Sequence, residues 1–401
     1  MSVIWRLLLW TGLLVSSGVS AADTIKIGDI NSYSRLPAHT EPYKKGAILA
    51  IEEINATGGV AGHELALISR DDAGEPGEAI RIAEEMVTKD GVALISGSLF
   101  SHVGLALSSF AEQREVLYLA AEPLADALVW EKGNDFTFRL RPSTFMQASM
   151  LAEVAAEKDA VRWATIAPNY AYGKDAVASF KQVLKSLKPE VEFVTEQWPA
   201  LFQIDAGAEA QALAAAAPDA IFNVTFGNDL AKFVREGTDR GLFDDRLVVG
   251  LLTGEPEYLD PLEDEAPEDW LVTGYPWDKI ETPEHRRFVE AYGARWDGDY
   301  PRVGTLVGYN TMLAIAAMLE KTGGDTVTSS MIAAMKGLTF ATPVGEVTFR
   351  EIDHQSTMGT FVGYSVVEDG RGTMRDWYYA PGENYLPSDD EVRELRLGSG
   401  S

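Results

Sequence analysis

The chain has 401 residues, which is too long for one ordinary domain and suits two. It carries 34 basic and 61 acidic residues, and its formal net charge of −27 would repel phosphate backbones, so nucleic acid is not an expected partner. The chain lacks cysteine, and its five histidines show no spacing typical of metal ligands. The sequence therefore predicts no disulfide, no metal centre and no cofactor.

The first 21 residues predict a secretory signal peptide. Arg6 precedes an apolar run from Leu7 to Val15, and small residues follow at Val19 and Ala21, where a signal peptidase cleaves. The run is too short to span a bilayer as a helix, although an uncleaved membrane anchor remains the alternative. No cysteine follows it for lipid attachment. We expect an exported, soluble protein of a bacterial periplasm.

Residues 24–120 predict alternating strands and helices. Tyr43, Ala47, Ile51 and Ile54, for example, recur at the spacing of an amphipathic helix. The predicted strands lie near residues 24–30, 63–70, 92–96 and 116–120, and the predicted helices near residues 43–54, 79–87 and 101–114. Repeated units of this kind predict a parallel sheet covered on both faces, with a ligand crevice beyond the carboxyl ends of the strands.

A second series of elements begins after residues 136–142. Its predicted strands lie near residues 163–167, 191–196, 220–224, 247–252 and 270–277, and its helices near residues 174–187, 208–216, 229–237, 283–296 and 303–322. Short antiparallel strands are predicted near residues 346–349, 360–367 and 373–379, followed by a C-terminal tail over residues 386–401. Because no low-complexity linker separates the two series, we expect two lobes joined by several crossings of the chain.

Three segments carry a resemblance to a known family. Ala50–Gly62 follows the pattern A-x-x-x-I-N-A-x-G-G-v-x-G, Asn169–Gly173 is similar to a Y-x-Y-G turn, and Val347–Phe349 is similar to a late G-x-v-x-F strand. In order and spacing, residues 24–385 resemble the type I periplasmic solute-binding proteins of the leucine/isoleucine/valine-binding group. Members of this group are receptors of ABC importers.

The resemblance implies an α/β fold with two Rossmann-like lobes joined by a three-crossover hinge. It assigns residues 22–140 and 277–350 to one lobe and residues 141–276 and 351–385 to the other, with crossings near residues 138–142, 273–277 and 350–357. The implied function is capture of a small ligand by hinge closure and its delivery to permease subunits in the inner membrane, by a monomer. An enzyme is not expected, because GxSxG, GxGxxG and P-loop motifs are missing. A ligand-sensing partner of a chemoreceptor or sensor kinase remains an alternative.

Ser101 is the first candidate ligand residue. It ends the small-residue segment Gly97–Ser101, which lies between a predicted strand and a predicted helix. Main-chain N–H groups and a hydroxyl at the positive end of a helix suit a carboxylate, and the resemblance assigns this position to the α-carboxylate of an amino acid. A simple helix cap is the alternative.

The next strand end departs from the family. Relatives usually carry a small pair that offers hydrogen-bond donors, whereas this chain has Glu122, an acceptor, and Pro123, which has no N–H. Glu122 suits a ligand amine, amide or hydroxyl, or a pair with Arg35, unless it points to solvent. Tyr33 and Arg35, in the predicted loop over residues 31–42, should overhang the cleft, where Arg35 pairs with a ligand carboxylate or stays solvated.

The second lobe supplies four further candidates. By resemblance, Tyr172 lies over the ligand on closure, Phe226 is the aromatic residue of the wall, and Glu255 takes the ligand ammonium. Tyr275, with Trp277, lies at the second predicted crossing; each ring could instead belong to the core. We therefore expect a receptor for an amino acid or an amine-bearing relative, with an aromatic or other small carboxylate as the alternative ligand.

Overall fold

The computed structural model describes residues 24–397, so the predicted signal peptide lies outside the described residues. The first sheet has five parallel strands in the order β2-β1-β3-β4-β5. Its strands are β1 (Ile25–Asn31), β2 (Leu65–Asp71), β3 (Leu94–Gly97), β4 (Tyr118–Ala120) and β5 (Thr137–Arg139). β3, β4 and β5 are buried at every residue, as expected for strands covered on both faces.

The second sheet repeats this order and extends it. Its order is β14-β13-β10-β9-β8-β6-β7, in which β6 to β10 are parallel and the pairs β10–β13 and β13–β14 are antiparallel. The strands are β6 (Arg162–Ile166), β7 (Glu192–Gln197), β8 (Ala220–Asn223), β9 (Leu247–Gly254), β10 (Leu271–Gly274), the separate hairpin β11 (Thr339–Thr342) and β12 (Gly345–Thr348), β13 (Thr360–Glu368) and β14 (Arg371–Ala380). The two sheets confirm the predicted α/β fold with two lobes.

Helices cover both sheets. They are α1 (Pro37–Ala56), α2 (Pro76–Glu85), α3 (Ser101–Arg114), α4 (Thr144–Ala156), α5 (Ala171–Leu187), α6 (Ala206–Ala215), α7 (Gly227–Asp239), α8 (Pro256–Leu259), α9 (Pro283–Arg295), α10 (Val303–Thr322), α11 (Thr328–Met335) and α12 (Asp389–Leu397). We call the first sheet with α1–α3, α9–α11 and the β11–β12 hairpin lobe 1, and the second sheet with α4–α8 lobe 2.

Helices α1 and α10 pack closely against each other in lobe 1. Glycines let their backbones approach closely, since a Cβ on Gly46 would lie 2.0 Å from the carbonyl oxygen of Thr305, and one on Gly308 would lie 2.0 Å from that of Tyr43. Of the described helices, α10 is the one with the length and apolar composition to cross a membrane, but 78% of its most apolar stretch is buried inside the protein. Its hydrophobicity is that of a core helix.

The chain passes between the lobes after β5, after β10 and after β12. The first and third crossings are hydrogen-bonded to each other: Arg139 N–H donates to His354 O at 3.1 Å, and Ser356 N–H donates to Arg139 O at 2.9 Å. A short set of paired crossings between two packed lobes is the usual architecture of a hinge.

The C-terminal segment corrects one prediction, because residues 389–397 form α12 and not a tail. Ser388 and Glu391 cap this helix, with the Glu391 carboxylate accepting from Ser388 N–H at 2.8 Å. Val392 is buried, and Arg396 donates to the carbonyl oxygen of Val129 in lobe 1 at 2.9 Å. Capping and one apolar anchor therefore order a segment whose composition is mostly charged.

Candidate ligand-binding site

A small cavity of about 30 Å³ lies between the two lobes. Its walls come from the loops that follow β3, β4, β5, β6, β8 and β9, so the carboxyl ends of strands from both sheets face it, as in other open α/β sheets. The lining residues are Leu99, Phe100, Ser101, Glu122, Leu124, Arg141, Tyr170, Tyr172, Phe226, Leu252 and Tyr258.

The lobe 1 wall contains the start of α3. Ser101 is the first residue of this helix, is 2% exposed, and accepts a hydrogen bond from Ala125 N–H at 3.1 Å through its hydroxyl oxygen. The hydroxyl keeps its own hydrogen for donation. The preceding turn holds Gly97 at φ 97° and Ser98 at φ 51°, a left-handed backbone that is costly for serine. This turn brings the positive end of α3 to the cavity.

Two wall residues, Glu122 and Arg141, belong to a group of buried ionisable side chains that extends behind the wall. We call this group the charged cluster: His39, Glu122, Arg141, Glu255 and Glu257. Arg141 Nη1 donates to Glu122 Oε2 at 2.8 Å, and Arg141 Nη2 donates to Glu255 Oε1. His39 Nε2 lies 3.1 Å from Glu122 Oε1, and His39 Nδ1 lies 3.6 Å from Glu257 Oε1. Because Glu122 belongs to lobe 1 and Glu255 to lobe 2, Arg141 ties the two lobes together.

Burial and pairing compete within the charged cluster. Burial alone would lower the pKa of His39, but Glu122 and then Glu257 raise it to about 9. Burial alone would raise the pKa of Glu122, but His39 and Arg141 lower it below its ordinary value. For Glu255, burial prevails over the attraction of Arg141 and raises the pKa to about 7. Glu122 is thus a firmly ionised acceptor.

Aromatic rings form much of the lobe 2 wall. The Tyr172 and Phe226 rings meet edge to face with centroids 5.7 Å apart, and Tyr170 and Tyr258 extend the row at 5.9 Å from Tyr172 and 6.2 Å from Phe226 respectively. The Tyr172 hydroxyl is buried and has no hydrogen-bond partner within residues 24–397. A row of rings with one free hydroxyl suits a small ligand that is partly apolar.

Rings also join the lobes at the outer end of the cavity. Phe202, from the loop after β7, packs edge to face on Phe100 of lobe 1 at 5.9 Å. The Arg35 guanidinium of lobe 1 lies 4.9 Å from the centroid of the same Phe202 ring. We call Arg35, Phe100 and Phe202 the mouth contact.

Five sequence-predicted residues lie at or directly behind the cavity. Ser101, Glu122, Tyr172 and Phe226 are on its walls. Glu255 lies one layer deeper, hydrogen-bonded to the wall residue Arg141. The structure therefore brings together predicted residues that are far apart in the sequence.

Three other predicted residues lie outside this lining. Arg35 is exposed and belongs to the mouth contact. The Tyr33 hydroxyl donates to the Asp29 carboxylate within lobe 1. The Tyr275 hydroxyl lies 2.6 Å from His285 Nε2, and its ring faces a separate cavity at the crossings. The last two residues support the structure around the cleft.

Three residues of the charged cluster were not predicted from the sequence: His39, Arg141 and Glu257. The loop expected over residues 31–42 ends earlier, because α1 begins at Pro37 and includes Pro42. Proline at the first position is typical of a helix start, and this signal could have placed His39 in the first turn of α1. Arg141 carried no local signal, since its partners come from other elements.

A cleft between two lobes of this kind, with the hinge at one side and a polar cavity at the strand ends, defines a bilobal solute-binding protein. A sequence model of the family described as "Periplasmic binding protein" matches residues 24–371, and the chain belongs to this family. The predicted family is therefore confirmed. Its members bind solutes for ABC transporters and are not enzymes, and membership indicates a periplasmic location.

Individual relatives agree with this assignment. Leu/Ile/Val-binding protein homolog 7 of Brucella abortus is 26% identical over 329 residues, which cover 78% of this chain and 80% of the relative. The leucine-, isoleucine-, valine-, threonine-, and alanine-binding protein of Pseudomonas aeruginosa is 25% identical over 339 residues, which cover 82% and 87%. A solute-binding protein of an ABC transporter from Rhodopseudomonas palustris BisB5, solved in complex with 3,4-dihydroxy benzoic acid, has the same fold with a TM-score of 0.79, 23% identity and coverage of 89% and 98%.

Proposed function

We propose that this protein is the receptor of an ABC importer for an amino acid or an amine-bearing relative, which it captures by closing its lobes. One observation carries the proposal: a single cavity presents the positive start of α3 with the Ser101 hydroxyl and, on the same lobe, the buried carboxylate of Glu122. A solute with a carboxylate at one end and an ammonium at the other complements both groups.

In this proposal the two ends of the solute have different partners. Its carboxylate accepts from Ser101 and from main-chain N–H groups of the first turn of α3. Its ammonium donates toward Glu122 and Glu255, while Tyr172 and Phe226 cover it from lobe 2. The wall groups are buried, which strengthens charge-assisted hydrogen bonds.

The partner and the compartment follow from the same proposal. The loaded protein delivers its solute to permease subunits in the inner membrane. The relatives from Brucella abortus and Pseudomonas aeruginosa carry the names of branched-chain amino-acid binders. The buried carboxylate of Glu122 favours a ligand with more hydrogen-bond donors than a ligand with an apolar side chain has.

An aromatic carboxylate is the second candidate ligand. The Arg141 guanidinium is on the cavity wall and offers a cation to a carboxylate, and the rings of Tyr170, Phe226 and Tyr258 suit an aromatic body. The Rhodopseudomonas palustris protein with the same fold was solved with such a compound.

A thermal-shift screen of amino acids, amides, polyols and aromatic acids first selects the solute, because a bound ligand raises the midpoint. Calorimetry then compares Glu255→Gln with Ser101→Ala in the presence of a chelator. For an ammonium solute, Glu255→Gln should weaken the binding free energy by about 2–5 kcal/mol, which is a loss of affinity of about thirty- to several-thousand-fold. Ser101→Ala should weaken the binding free energy by on the order of 1 kcal/mol.

A matched control is Glu236→Gln, an acidic residue of α7 that pairs with Arg240 at the surface. It should bind the solute like the parent protein. If Glu255→Gln also binds like the parent, the amino-acid proposal fails and the aromatic carboxylate becomes the leading candidate.

A further inference from the structure

We propose that the charged cluster holds a divalent transition-metal ion, bound by His39, Glu255 and Glu257 between the two lobes. One ligand atom from each of these residues lies within 4.8 Å of the others. The side chains are almost fully buried, at 1%, 1% and 3% exposure. Because His39 comes from α1 in lobe 1 and the two glutamates come from lobe 2, the ion would join the lobes behind the cavity.

Each glutamate has one oxygen engaged and one oxygen free. Glu255 Oε1 accepts from Arg141, and Glu257 Oε1 accepts from Gly304 N–H at 2.6 Å. The other oxygens, Glu255 Oε2 and Glu257 Oε2, are buried and have no hydrogen-bond partner among the described residues. A buried carboxylate oxygen without a partner is unfavourable, so the geometry indicates a ligand at this point.

The histidine likewise lacks hydrogen-bond partners within residues 24–397. Neither ring nitrogen of His39 makes a hydrogen bond within the described part of the chain, although Nε2 lies 3.1 Å from Glu122 Oε1. A carboxylate beside the second ring nitrogen is the usual support of a metal-binding histidine. His39 Nδ1 lies 3.6 Å from Glu257 Oε1, so this ring nitrogen faces the carboxylate of Glu257.

The donor set selects the kind of metal. One imidazole nitrogen with two carboxylate oxygens suits Zn²⁺ in a site with three protein ligands, whereas Ca²⁺ requires six to eight oxygens. The expectation from the sequence was no metal centre, since local spacing rules cover ligands on one helix and His39 lies far from Glu255 along the chain. The proposal goes beyond the proposed function, because it concerns a constituent of the protein and not its solute.

The test uses mature full-length protein, treated with a chelator and dialysed, with Zn²⁺ alone as the probe and no solute present. Calorimetry should show one tight Zn²⁺ site per chain, with a higher thermal midpoint and with weaker binding of Ca²⁺. His39→Gln and Glu257→Gln should each weaken Zn²⁺ at least thirty-fold. Glu257→Gln keeps an oxygen that can accept from Gly304 N–H, so it preserves the fold.

The control is His102→Gln, which changes a half-buried histidine near the mouth that contacts Tyr170 and Gly74 and not the cluster. It should keep the parent affinity for Zn²⁺. Absence of a one-to-one site in the parent protein, or equal binding by the parent and both cluster variants, overturns the proposal. Solute binding by chelator-treated protein that does not bind Zn²⁺ would leave the proposed function standing alone.

Discussion

At the inner end of the cavity the lobes meet through ionised groups, whereas at the mouth they meet through rings. Arg141 donates to Glu122 of lobe 1 and to Glu255 of lobe 2, and both bonds require a particular geometry. Phe202 packs on Phe100 across the mouth, a contact that tolerates small displacements. The inner end is therefore suited to select the chemistry of a solute, and the mouth to hold the closed form.

The largest expected effect on stability comes from a variant that disrupts the ionic contacts at the inner end of the cavity. Arg141→Met removes the guanidinium between Glu122 and Glu255 and leaves two carboxylates buried without it. Loss of one partner from a buried ion pair is expected to lower the free energy of unfolding by about 3–5 kcal/mol. Urea denaturation followed by circular dichroism measures this change.

The control for this variant is Arg235→Met, which removes a pair with Glu265 at the surface, where both side chains are about half exposed. Exposed pairs contribute about 0–1 kcal/mol, so its denaturation midpoint should stay close to that of the parent. Equal losses in the two variants would contradict the structural importance of the inner contact.

A second prediction concerns a contact between like charges of the two lobes. Asp126 N–H of lobe 1 donates to Asp175 Oδ2 of lobe 2 at 2.8 Å. Burial, and then the Asp126 carboxylate, raises the pKa of Asp175 to about 7. The folded state therefore binds a proton that the unfolded state releases near pH 4, and stability falls as pH rises from about 4 to 7.

Asp175→Asn keeps an oxygen that can accept from Asp126 N–H but removes this titration. At pH 8 the variant should be more stable than the parent by about 4 kcal/mol, and near pH 4 the two should be equal. Asp239→Asn, at an exposed position of α7, is the matched control and should follow the parent at both pH values. Urea denaturation at the two pH values measures the free energy of unfolding of each protein. A difference between variant and parent that is the same at both pH values would contradict the prediction.

Elements whose signals are local were predictable from the sequence. α3 and α10 begin and end where they were predicted. Each has a hydrophobic pattern, and α3 ends at an arginine while α10 is followed by a glycine. α4 was missed, since it is buried over most of its surface and lacks an amphipathic stripe. In the site, Ser101 and Glu122 follow strands and could be foreseen, whereas the role of Arg141 depends on contacts with Glu255 in the other lobe.

The smallest expected effect is on solute affinity, and it comes from a variant that tests the mouth contact. Phe202 contacts Phe100 at 5.9 Å and Phe226 at 5.5 Å, and the Arg35 guanidinium lies 4.9 Å from its ring. The contacts to Phe100 and Arg35 join the lobes, so they stabilise the closed form and not either lobe by itself. An aromatic pair contributes about 0.5–1.5 kcal/mol and an exposed cation–π contact about 0.5–1 kcal/mol.

Phe202→Ala should therefore weaken solute affinity by about five- to seventyfold, mainly through faster dissociation, which stopped-flow fluorescence measures. Phe193→Ala is the control: this ring of β7 is half-buried and contacts Lys181 at 5.3 Å within lobe 2. The control should leave solute dissociation unchanged, because its contacts are present whether the cleft is open or closed. If Phe202→Ala likewise dissociates at the parent rate, the rings at the mouth contribute nothing to closure, and the other contacts between the lobes hold the closed form.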